Sequence, residues 1–138
     1  MGKLNILLIE DDEIERMKFK RVCEKNNLNL SVFEAKNGEI ALEFLKNDNN
    51  LPDFILLDLN MPKMNGIEFL RILKSKDRIK FIPIIIISSS NNHNDVKECY
   101  RVGIAGYILK PLHYKEYSER IVSLVNYWRF NELPTNLI

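Results

Sequence analysis

Four aliphatic runs in this chain each end in residues that could do chemistry. Ile6-Leu7-Leu8-Ile9 runs into Glu10-Asp11-Asp12, and Phe54-Ile55-Leu56-Leu57 into Asp58. Ile84–Ile87 runs into Ser88-Ser89-Ser90, and Gly106–Leu109 into Lys110-Pro111. Glu10, Asp11 and Asp58, crowded together, would repel one another unless a cation or a raised pKa relieved them. Carboxylates with a backbone carbonyl make a hard, all-oxygen site suited to Mg²⁺, which keeps waters and bridges readily to phosphate. A phosphoryl group could then lie between that ion and Lys110, with Ser88 donating to a third oxygen. Phosphoryl transfer needs chiefly such positioning and neutralisation, with one carboxylate as nucleophile. Singly, each feature has a plainer reading: Asp12 and Glu15 form a capping box, the serines a polar loop, and Lys110 a solvated turn lysine. Their joint placement after four separate runs favours a site.

A rim of this kind needs elements that bring those ends together. The spacing predicts five strands, Asn5–Ile9, Leu30–Glu34, Phe54–Leu57, Ile84–Ile87 and Gly106–Leu109. Continuous Ile/Leu runs suit parallel strands buried on both faces, and the more polar Leu30–Glu34 suits an edge. Amphipathic helices alternate with them. Asp12 and Asn65 sit at helix starts. Ile40, Ala41, Phe44 and Leu45 form one stripe; Val96, Cys99 and Tyr100 another; Tyr117, Ile121, Leu124, Val125 and Trp128 a third. The fold class is therefore α/β, a (βα)5 doubly wound five-stranded parallel sheet. Ligands bind such sheets at the carboxyl ends of the strands.

Composition narrows the function. At 138 residues the chain suits one domain, 1–130, with a short C-terminal tail, 131–138, expected to be poorly ordered. A formal net charge of +1 argues against nucleic acid or an anionic membrane as principal partner. Cys23 and Cys99 form no CxxC pair and read as reduced thiols in helices. The longest apolar stretch, Ile82–Ile87, contains Pro83 and is too short to span a bilayer. No signal peptide or myristoylation pattern is present, so a cytoplasmic protein is expected.

The segments Ile6–Asp12, Leu57-Asp58-Leu59-Asn60-Met61-Pro62-Lys63-Met64-Asn65-Gly66, Ile87-Ser88 and Gly106-Tyr107-Ile108-Leu109-Lys110-Pro111 together resemble the receiver domain of two-component response regulators, over Leu4 to Phe130. The resemblance implies a flavodoxin-like receiver fold of the single-domain, chemotaxis-regulator type. It implies Asp58 as phosphoacceptor, Asp11 as direct Mg²⁺ ligand, Glu10 acting beside it through metal-bound water, and the Asn60 main-chain carbonyl as a further ligand. Ser88 takes the switch hydroxyl position, Tyr107 the switch aromatic, and Lys110 the phosphate-contacting lysine, joined to Pro111 by a cis bond. Ser88 stands where Thr is commoner, which loosens the expected coupling. Ser90 and Asn60 occupy positions that tune dephosphorylation.

The function so implied is a stand-alone phosphorylation switch rather than an enzyme with an external substrate. A histidine kinase or histidine phosphotransfer protein is the expected donor, and an unidentified protein the target. On the first helix, Ile14, Met17, Phe19, Val22 and Cys23 spread too widely for one stripe, so some should face outward toward a donor. Tyr100, Tyr127 and Phe130 fall on the Asn94–Phe130 face, where a homodimer or target would sit. Three other classes share the architecture. A mononucleotide binder would need a phosphate-cradling loop where three acids stand. A Mg²⁺-dependent phosphohydrolase would need a substrate pocket, and a phosphate-independent adaptor would ignore the metal.

Overall fold

The structure, a computed structural model, describes residues 2–61 and 64–134. Along the chain run β1 (Leu4–Ile9), α1 (Glu13–Lys25), β2 (Leu30–Ala35), α2 (Gly38–Phe44), a 3-10 turn at Asp48–Asn50, β3 (Phe54–Leu57), α3 (Gly66–Lys74), β4 (Ile84–Ser88), α4 (His93–Val102), β5 (Gly106–Leu109) and α5 (Tyr114–Arg129). All neighbouring strands pair in parallel, in the order β2-β1-β3-β4-β5. The polar second strand is an edge strand, as its pattern requires.

Alternate residues of a strand point to opposite faces, and here both faces are covered. Leu7 and Ile9 of β1, with Ile55 and Leu57 of β3, pack toward Ala41, Phe69, Leu73 and Cys99 of α2, α3 and α4. Ile6 and Leu8, with Phe54 and Leu56, pack toward Phe19 and Val22 of α1 and toward Tyr117, Ile121 and Val125 of α5. The runs of β1, β3 and β4 are almost continuously apolar because neither face meets water there.

Asp12 and Asn65 cap helices as expected, Asn37 and Asn92 are further caps, and one detail needs correction. Asp12, Asn37, Asn65 and Asn92 each accept hydrogen bonds from backbone amides of the first turn that follows. The Asp12 amide, however, donates to Glu10 Oε2 at 3.3 Å rather than to Glu15. The carboxylate two residues upstream thus takes the donor that a capping box would give Glu15, whose side chain turns elsewhere. Gly103 ends α4 at φ +125°, a conformation that L side chains rarely adopt.

Two expectations for the C-terminal half need revision. Leu133 is only 4% exposed and packs with the α1 and α5 residues. The start of the expected loose tail therefore belongs to the core, held by one apolar anchor; residues 135–138 lie outside the described residues. Among the described residues no peptide bond is cis, so Lys110–Pro111 is trans where the resemblance implied cis. Trans is the isomer an X–Pro amide intrinsically favours by about 0.5–1 kcal/mol.

Candidate functional site

The sheet register fixes where the acids stand. The Glu10 amide donates to Ala35 O at 3.0 Å and the Asp58 amide to Ile9 O at 3.1 Å, so both residues continue the ladder just past their strands. The Lys110 amide donates to Ser88 O at 2.9 Å, which ties the end of β5 to the end of β4. Order β2-β1-β3-β4-β5 places β1 beside β3, so Glu10, Asp11 and Asp58 converge. One carboxylate oxygen from each lies within 4.8 Å of the others.

Two residues not assigned a role in the sequence hold this geometry. Arg16, one turn into α1, donates from Nη1 to Glu10 O at 2.8 Å and to Asp11 O at 2.9 Å. Gly66 opens α3 against the loop that follows Asp58. A Cβ there would lie 2.6 Å from Leu59 Cα and 2.9 Å from Asp58 O, so only glycine permits this approach. The Asn-Gly pair at a helix start was the visible signal for Gly66, whereas no local pattern marks Arg16. Pro62 and Lys63 of the same loop lie outside the described residues.

Lys110 Nζ reaches back across the rim to Glu10 Oε1 at 2.8 Å, with Asp58 Oδ2 at 4.0 Å and Glu15 Oε2 at 3.9 Å. Burial pushes the Glu10 carboxyl up to about 7; the Lys110 hydrogen bond opposes that rise and the Asp58 charge adds to it. Burial works against the Lys110 charge, but the Glu10 hydrogen bond and the surrounding acids hold its pKa above the usual lysine value. A buried carboxyl that keeps its proton near neutrality beside two further acids is a donor set a dication would relieve. The residues fit a divalent ion: Glu10, Asp11 and Asp58 supply the charge, and Asn60 lies on the same cleft, its amide donating to Asp58 Oδ1 at 3.3 Å.

The cleft, of about 460 Å³, is lined by these acids together with Lys110, Pro111, Leu112 and Ser89. Ser88 is fully buried and its Oγ accepts from the Ser90 amide at 3.1 Å. Tyr107 donates from its hydroxyl to Ser90 O at 2.6 Å, so Ser90 links the phenol to the Ser88 hydroxyl. The β4–α4 loop thus joins the acidic cleft on one side to Tyr107 on the other. Beyond Tyr107 lie two grooves, one with Leu109, Arg120 and Tyr127, the other with Val96, Lys97 and Tyr100. Of the five α1 residues, Ile14 and Met17 face outward while Phe19, Val22 and Cys23 are buried; Tyr127 and Phe130 are exposed, and so is Tyr100, although its stripe partner Cys99 is buried.

Known proteins share this fold. The family model of the response regulator receiver domain matches residues 6–122. The chain belongs to that family. This receiver is 30% identical over 126 residues to the chemotaxis protein CheY of Pseudomonas aeruginosa, covering 89% of this chain and 99% of CheY. It is 27% identical over 128 residues to response regulator Rcp1 of Synechocystis, covering 89% of this chain and 87% of that protein. Among solved structures, the phosphorylated cyanobacterial phytochrome response regulator RcpA superposes with a TM-score of 0.89 at 27% identity, covering 96% of this chain and 99% of RcpA. The Mn²⁺-bound form of Rcp1 superposes with a TM-score of 0.85 at 28% identity, covering 95% and 99% of the two chains. The receiver is thus a signalling module of two-component systems, and no helix of its described residues is long and apolar enough to cross a membrane.

Proposed function

We propose that this receiver is a stand-alone, cytoplasmic switch that accepts a phosphoryl group on Asp58 from a phosphohistidine of a histidine kinase or phosphotransfer protein. The observation that carries the proposal is the convergence of three carboxylates on one rim, with the Lys110 ammonium 4.0 Å from Asp58. One Asp58 oxygen forms a bond to phosphorus as the phosphorus–nitrogen bond to the donor breaks, and the imidazole keeps that electron pair. Asp11, Asp58 and the Asn60 carbonyl would hold Mg²⁺, with Glu10 beside them, and such an ion would neutralise charge on the transferring group. Lys110 leaves Glu10 to bind a phosphoryl oxygen, and the Ser88 hydroxyl binds another. Hydrolysis reverses the modification: water oxygen bonds to phosphorus, the bond to Asp58 breaks, and phosphate leaves.

The bistable element is the β4–α4 loop with Tyr107. Drawing Ser88 toward phosphate disturbs the Ser88–Ser90–Tyr107 contacts and changes the face built from α4, β5 and α5. Output is then protein–protein, to a target or a second copy of the chain through the Asn94–Phe130 face. Incubation with a phosphotransfer protein labelled on its histidine tests the donor class. Label should move to the wild-type chain and not to Asp58→Asn; label remaining on the histidine with both would contradict the reading.

A further inference from the structure

Glu15 is one turn into α1, at the position a capping box would use, yet it leaves the Asp12 amide to Glu10. Its Oε2 is shielded from solvent and accepts no hydrogen bond among the described residues. That oxygen faces two ammonium groups, Lys18 at 3.3 Å and Lys110 at 3.9 Å. Lys18 is held in turn over the ring of buried Tyr117, 4.3 Å from its centroid. A carboxylate facing cations without a committed hydrogen bond is an electrostatic partner rather than a fastener.

The consequence follows from what Lys110 must do. At rest it lies 2.8 Å from Glu10, 3.9 Å from Glu15 and 4.0 Å from Asp58. To stabilise a phosphoryl group on Asp58 it must leave Glu10 for a phosphoryl oxygen. Glu15 attracts the ammonium at the resting position and repels the incoming dianion. Lys18 counters both effects by neutralising Glu15.

We infer that Glu15 is a positioning residue which, acting through Lys110, holds the switch toward its unphosphorylated state, with Lys18 setting how strongly. This rests on Asp58 being the phosphoacceptor and adds the regulation of that site by a charge on α1. Because Lys18 bridges to Tyr117 of α5, a partner docking on the α1 and α5 surface that drew Lys18 away would strengthen the hold.

The test measures Mg²⁺-dependent phosphoryl uptake from acetyl phosphate by intact mass in wild type, Glu15→Gln, Lys18→Met and the double variant. In the uptake step an Asp58 oxygen bonds to phosphorus, the phosphorus–oxygen bond to the acetyl group breaks, and acetate leaves as the anion. Glu15→Gln should raise the initial rate roughly two- to fivefold, the range one partly exposed charge contact supports. Lys18→Met should lower it, and in the Glu15→Gln background Lys18→Met should have no effect, because its role is to neutralise Glu15. A structural role for Glu15 would slow uptake in every variant and would not give opposite signs. Mn²⁺ titration of the same proteins separates positioning from ligation: Glu15→Gln should bind within about twofold of wild type, a change typical of a distant charge. Loss of metal binding in Glu15→Gln, or equal uptake rates in wild type and Glu15→Gln, would overturn the inference while leaving Asp58 as acceptor. Absence of uptake by wild type itself would overturn both.

Discussion

Lys110 rests on Glu10, not on Asp58: its Nζ is 2.8 Å from the first carboxylate and 4.0 Å from the second. Glu10 is 4% exposed, so this ion pair is nearly dry and each partner depends on the other. The arrangement gives the lysine two states, one paired within the rim and one paired with whatever occupies Asp58.

Replacing Lys110 by alanine should therefore separate metal binding from phosphoryl stabilisation. Mn²⁺ affinity should be equal to or above that of wild type, since a competing cation is removed. Uptake from an acyl phosphate should fall at least about tenfold, as loss of one preorganised charged donor does. Leaving Glu10 without its hydrogen bond should cost about 1–3 kcal/mol in urea unfolding of the metal-free protein. Unchanged uptake in this variant would remove Lys110 from the proposed chemistry.

The raised Glu10 carboxyl gives a pH dependence with a definite sign. Its folded pKa of about 7 lies above the ordinary 4.5, so between those values the native state binds more protons than the unfolded one. That contribution to stability is fully present below the unfolded value and is lost as pH rises through about 7. Metal-free urea unfolding should show this loss between about pH 5 and about pH 8, and Glu10→Gln should abolish it. A divalent ion needs the carboxylate, so its affinity should weaken as pH falls below about 7, with proton release on binding detectable by calorimetry in two buffers.

Gly66→Ala should damage the site through the backbone. The added Cβ, 2.6 Å from Leu59 Cα, must push the Asp58 loop away from α3. Overpacking of this kind costs about 1–3 kcal/mol. Denaturation should register that loss, and Mn²⁺ binding should weaken although no carboxylate has changed.

Leu133→Ala tests the role of the segment after α5. Its side chain is buried with Trp128 and Phe54 packed in the same apolar layer. Truncation should cost about 2–5 kcal/mol, the range of core leucine deletions. A change within 0.5 kcal/mol would mean the segment contributes nothing to the core.

The strands β1, β3 and β4 were legible because aliphatic runs buried on both faces have few alternatives, and β2 and β5 because short apolar patterns stand between helical ones. Each observed boundary that differs does so by one residue, at Leu4, Ala35 and Ser88. The acids, Ser88 and Lys110 were legible as a rim because strand ends are fixed points of a parallel sheet. Side-chain partnerships were less so. Glu15 reads locally as a capping partner, and its distance to Lys110 depends on an element 95 residues away. Arg16 reaches two carbonyls through a long side chain that no spacing rule marks. Leu133 stands in a segment without periodicity, and the isomer at Lys110–Pro111 is set by a difference of about 0.5–1 kcal/mol that composition does not encode.

Everything proposed for this receiver depends on Asp58 accepting a phosphoryl group with the help of a divalent ion. Intact-protein mass after incubation with Mg²⁺ and a small acyl phosphate, on wild type and Asp58→Asn side by side, tests it most directly. A phosphoryl adduct on wild type alone, absent when Mg²⁺ is chelated beforehand, is the expected result. An adduct on both proteins, or on neither across a time course from seconds to hours, would contradict the account.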